Sequence, residues 1–217
     1  MKAAVRAAAR AFTAQYEGCV SEMYVDVLGL VTCAIGNLVD PMPAVLGLPW
    51  IRRADGQPAT AAEIAAEWQE VKSSKIPWYP HRGPRPIYLA DDGINTLFFR
   101  RLDANDRILA NRWPNWDQWP ADAQLGAHSC AWAAGGAWRA PAFDAAVGRL
   151  DFQTCAGAPG DANNDLGCRG QAWLNDAGNP GLRPRNLANK VLFWNAAVVL
   201  NDGRDPEVLY FPTALDG

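Results

Sequence analysis

The hydrophobic pattern of this chain departs from helical spacing in one place, and that departure limits the fold more than any other feature. From Met23 to Ile35, valine, leucine, threonine and isoleucine crowd around Gly29. Such a stretch reads as a short hairpin, with Asp26 near its first strand or turn and Thr32 on the return strand. Elsewhere the sequence reads as helix. Residues Lys2 to Tyr16 are alanine-rich, with Lys2, Arg6 and Arg10 on one face and Val5, Ala8 and Phe12 on the opposite stripe. Gly18 suits the left-handed position just past a helix end. Glu17 then falls in the last turn, facing the negative end of the helix dipole.

A proline-rich loop, "DPMPAVLGLP", precedes "TAAEIAAEWQEVKSS", where Thr60 and Glu63 form a capping box. After the irregular "PWYPHRGPRP", a long helical pattern uses Leu89, Ile94, Leu97, Phe98, Leu102 and Ile108. Three further helical segments follow, in "ADAQLGAHSCAWAA", "PAFDAAVGRL" and "RNLANKVLFWNAAVVL". The expected fold class is α+β, mostly helical, with one small sheet near the N-terminus. At 217 residues the chain can form one sizeable domain or two small lobes sharing a long element. We read 1–217 as a single domain.

The composition excludes several function classes. A net charge of −3 gives no general attraction to nucleic acid. The longest apolar run, "VLFWNAAVVL", is too short to span a bilayer, and Arg6 and Arg10 interrupt any secretory signal. The histidines, His81 and His128, are far apart, and no serine lies in a nucleophile elbow. No phosphate-binding loop is present. Asp161, Asn163 and Asp165 only faintly echo a calcium loop, and a solvated turn is the better reading. Five cysteines without a C-x-x-C pair leave no metal or thioredoxin-type site. Cys155 and Cys168 flank a loop that would let them pair in an oxidising compartment, whereas Cys19 and Cys33 read as free and buried. Carboxylate acid–base chemistry remains.

In "YEGCVSEMYVDVLGLVTCAIGNL" the residues Glu17, Gly18, Tyr24, Asp26, Gly29, Thr32, Gly36 and Leu38 stand in the frame E-x8-D-x5-T. This frame resembles the active-site signature of phage-type lysozymes, glycoside hydrolase family 24. There a Glu ends the first helix and an Asp precedes a strand reading T-x-G-x-G-H-L. More weakly, "LADDGINTLFFRRLD" is similar to the family's inter-lobe helix, "AHSCAWAAGG" to its buried helix, and "GNPGLRPRNLANKVLF" to its C-terminal segment. Residues 41–85 read as an insertion. Ala34 stands where the family usually has Gly, Asn37 where it has His, Trp132-Ala133 in place of Phe-Asn, and Asn189 in place of Glu.

The resemblance implies a lysozyme-like, two-lobed fold with a helical C-terminal lobe. It implies cleavage of the β-1,4 bond between N-acetylmuramic acid and N-acetylglucosamine in bacterial peptidoglycan. No cofactor, metal, nucleic acid or stable membrane insertion is expected, and the protein would act as a monomer. Glu17 would be the general acid and Asp26 the ionised carboxylate, with Thr32 helping Asp26 hold the attacking water. The two-carboxylate scheme, whose type case is itself a lysozyme, comes with the resemblance. Gly36, Leu38 and Trp132 would contact the glycan. Trp113, Trp116 and Trp119 read as core plugs instead. Without a signal peptide, the implied setting is a phage endolysin held in the host cytoplasm until release to the wall, or a virion-borne lysin. A lytic transglycosylase and an inactive wall-binding virion component are the alternatives.

Overall fold

Alanine-rich sequence ended by a glycine yields the first helix, α1 (Ala3–Glu17), and Gly18 takes up the left-handed conformation at φ 75°. The computed structural model describes residues 1–74, 84–156 and 183–216. These fall into two units, Glu17–Arg101 and the combination of Met1–Tyr16 with Leu102–Gly217. The class is α+β and mostly helical.

In the unit Glu17–Arg101, the expected hairpin is β1 (Val20–Val25) and β2 (Val31–Ala34), extended by a third antiparallel strand, β3 (Asn37–Leu38). Tyr24 pairs across with Thr32, and Thr32 with Leu38, so these three share a sheet face. The segment 41–85 contributes α2 (Pro43–Leu46), β4 (Trp50–Arg52) and α3 (Ala61–Ser74). Strand β4 pairs antiparallel with β5 (Ile87–Leu89), which corrects the expectation of one sheet. Strands of three residues are too short to show alternation, and their pairing is non-local. The capping box at the start of α3 is formed: the Thr60 amide donates to Glu63 Oε2 at 2.7 Å, and the Glu63 amide donates to Thr60 Oγ1 at 3.3 Å. Ile64 and Val71 bury one face of α3, and buried Glu67 accepts two hydrogen bonds from the Arg85 guanidinium. The long helix α4 (Asp91–Arg112) begins in this unit, and Leu89 precedes it on β5.

The other unit is built on α1, the end of α4, a 3-10 turn at Trp116–Gln118, α5 (Ala121–Ala134), α6 (Pro141–Val147), α7 (Phe152–Ala156) and α8 (Arg183–Asp202). Trp113, Trp116 and Trp119 are buried with Phe143, Phe152 and Phe193, as the core reading requires. Trp113 and Trp119 stack with ring centroids 4.8 Å apart. On α4 it is Leu109, not Ile108, that reaches this core, because Ile108 is exposed. The buried stripe of α1 is Val5, Ala9, Phe12 and Thr13, not one running through Ala8. On its basic stripe, Lys2 pairs with Glu207, and Arg6 with Asp103.

Buried Asp122 accepts the Tyr210 and Phe211 amides and the Asn195 side chain, tying the segment after α8 to the start of α5. Cys19 is exposed, against the expectation of burial, because it follows Gly18 out of the helix end; Cys33 is buried. The loop of Asp161, Asn163 and Asp165, Cys168 of the suggested pair, and most of "PWYPHRGPRP" lie outside the described residues. Among the described residues, no helix is long and apolar enough to cross a membrane.

Candidate active site

The expected catalytic residues all fall in the unit Glu17–Arg101, which begins at the last residue of α1. Glu17 is the last residue of α1 and is partly exposed. Asp26 heads the turn between β1 and β2. Its amide donates to the Leu30 carbonyl at 2.9 Å, and its carbonyl accepts from the Gly29 amide at 3.0 Å. Its Oδ1 accepts the amides of Leu28 at 2.8 Å and Leu30 at 2.9 Å. A short polar side chain at the head of a turn folds back onto the backbone in this way, and Gly29 supplies the left-handed residue at φ 78°. Two N–H donors on one oxygen fix the plane of the carboxylate. Thr32 is buried on β2, its hydroxyl 3.5 Å from the Leu30 carbonyl.

The electrostatics link these positions. Burial first, then the charges of Cys33, Glu17 and Asp26, push the Tyr24 phenol up to about 12. Tyr24 therefore lies in the fields of both carboxylates. Arg101, near the middle of α4, donates from Nη1 to the Gly36 carbonyl at 2.7 Å. Burial pushes its guanidinium down, and the charge of Glu17 acts in the opposite direction. Burial pushes the Cys33 thiol up to about 12, so it is neutral at ordinary pH.

Among the expected glycan contacts, Gly36 and Leu38 lie in this unit, Leu38 exposed on β3 directly opposite Thr32. Trp132 is different: it is 4 % exposed, on α5 of the other unit. A tryptophan in a helix buried nearly all round contributes first to packing.

Sequence reasoning missed Arg101, Asp40 and Lys72. The Lys72 ammonium donates to the Gly29 carbonyl at 2.8 Å and to Asp40 Oδ2 at 2.6 Å. Asp40 Oδ2 also accepts the Val31 amide at 3.0 Å. Burial opposes the Asp40 charge, but the hydrogen bonds from Lys72 and Val31 outweigh it and hold the carboxyl below the usual aspartate range. The available signal was slight: lysine is scarce, and Lys72 stands four residues after Trp68 on one helix face.

Among the described residues, no group of three His, Cys, Asp or Glu side chains could hold a metal ion. Comparisons with known proteins add nothing to this geometry: no family model, curated protein or solved structure matches the chain.

Proposed function

We propose that the protein is a peptidoglycan hydrolase, an N-acetylmuramidase of the phage-lysozyme kind, acting on the β-1,4 bond after N-acetylmuramic acid. The observation that carries this reading is the placement of three side chains in one unit. Glu17 ends a helix before a left-handed glycine, Asp26 heads a turn that pins its carboxylate, and Thr32 lies on the return strand opposite Tyr24. A second observation supports it. The two positions where the lysozyme strand pattern has glycine, Ala34 and Gly36, both have left-handed backbone, at φ 53° and 63°.

In this reading Glu17 protonates the leaving oxygen, while Asp26, with Thr32, directs a water to the opposite face of the sugar. That water needs space, so the carboxyl groups should stand ~6.5–9.5 Å apart and the product should form with inverted configuration. The reading carries with it a lysozyme-like two-lobed fold, bacterial peptidoglycan as partner, and release from a host cytoplasm or a virion.

The test is digestion of purified peptidoglycan with mass analysis of the new ends. Reducing muramic ends support hydrolysis, anhydro ends mean a transglycosylase, and no new ends mean a wall-binding protein. Glu17→Gln should lower the rate by about 10²–10⁴-fold without loss of melting temperature. Asp26→Asn should be severely impaired. Glu22→Gln, in which the replaced carboxylate pairs with Arg53, is the control and should stay near wild type. Wild-type clearance by Glu17→Gln would sink the proposal.

A further inference from the structure

The turn that carries Asp26 has little packing to hold it. Val27, Leu28 and Gly29 are all exposed, so no apolar core fixes their position. Within the hairpin the turn is held by its own backbone bonds and by the Asp26 carboxylate. Among the described residues, the hydrogen-bond donor that reaches this turn from outside the hairpin is the Lys72 ammonium, on the Gly29 carbonyl. The same ammonium holds Asp40, whose other contact is the amide of Val31, the first residue of β2. One turn earlier on α3, Trp68 Nε1 donates to the Val39 carbonyl at 3.0 Å. Trp68 and Lys72 thus form a pair on one face of α3 that holds the residue after β3, the start of β2 and the turn.

We propose that Lys72 and Asp40 are positioning residues for Asp26, so that α3 of the 41–85 segment sets the orientation of the reacting carboxylate. The proposal rests on the reading of Asp26 as that carboxylate. The chain of contacts is short. Lys72 fixes the Gly29 carbonyl, Gly29 lies between Leu28 and Leu30, and the amides of Leu28 and Leu30 hold Asp26 Oδ1. Releasing the ammonium frees the peptide units on which those two donors sit. A cationic group with several donors is needed because it must serve a carbonyl and a carboxylate together; lysine offers three donors and arginine five, whereas methionine offers none.

Three variants test this: Lys72→Met, Lys72→Arg and Asp40→Asn. The first readout is amide hydrogen exchange by NMR. In Lys72→Met, exchange at Leu28 and Leu30 should accelerate by about tenfold, the factor expected for losing one charge-assisted bond, while Ile64 and Val71 keep their protection. Lys72→Arg should restore most of that protection, and Asp40→Asn should give an intermediate loss. The second readout is steady-state cleavage of soluble glycan strands, where Lys72→Met should lower kcat with KM unchanged and Lys72→Arg should recover it. Unchanged exchange at Leu28 and Leu30 overturns the proposal whatever the activity. A general rise in exchange across α3, without rescue by arginine, also overturns it and makes Lys72 a structural residue. If the wild-type protein cleaves no peptidoglycan, the hydrolase reading fails, and the exchange data alone still decide whether Lys72 holds the turn.

Discussion

Ala34 adopts φ 53°, a conformation in which an L side chain crowds its own backbone. The left-handed backbone costs a non-glycine residue roughly 1–2 kcal/mol. Glycine would relieve this, but it would lose a buried methyl worth about 0.8 kcal/mol and add about 0.5–1 kcal/mol of chain entropy. These terms nearly cancel. Ala34→Gly should therefore change stability by less than about 0.8 kcal/mol, whereas the same substitution in ordinary buried strand would cost roughly 1.5 kcal/mol. Urea unfolding of the two proteins decides it, and a loss near the larger figure would mean that Ala34 is not strained. Gly36, also left-handed, has no such latitude. At this scale the sequence exposed the candidate acids, because Glu17 and Asp26 stand out in a weakly charged stretch. Arg101 was hidden among the ordinary charges of a long helix, since only the fold brings it to the Gly36 carbonyl.

Helices α5 and α8 meet at a glycine. A Cβ placed on Gly126 would lie 2.8 Å from the Phe193 ring, which is itself fully buried against Phe143 and Phe152. Propensity favours Gly126→Ala by about 1 kcal/mol in an open helix. Overpacking a filled core costs typically about 1–3 kcal/mol, so the sign should reverse and the variant should melt earlier. A melting temperature at or above wild type would show that Phe193 can move aside. Element type was legible wherever a segment was long and periodic, as in α1, α3, α4 and α5. Strands β4 and β5 were not, because each has three residues and its partner is distant in sequence. Strand β3 has two residues and exists only because β2 offers it an edge.

Across the molecule, the response to acid should depend strongly on a buried histidine. His128 is 3 % exposed, with Nε2 3.3 Å from Asp106 Oδ1. Burial pushes the imidazole below its ordinary value, against the pull of Asp106. A base whose folded value is depressed binds its proton more readily when unfolded. Stability is therefore intact above the ordinary histidine value of ~6.5 and falls as pH drops below it, by up to about 1.4 kcal/mol per pH unit. His128→Gln, which keeps a donor for Asp106, should flatten the melting temperature between about pH 7 and 5. An unchanged slope would assign the acid sensitivity elsewhere. The balance of helix and strand, the capping box and the tryptophan core were determined by the sequence itself, since propensity, capping and burial of large apolar rings act over short stretches. The second sheet, the bond from Arg101 to Gly36, the internal pairing of Lys2 and Arg6 and the hold of Lys72 on the Asp26 turn were decided only by the tertiary structure. Each joins residues far apart in sequence, and nothing local distinguishes a charge that will find a partner from one that will remain in water.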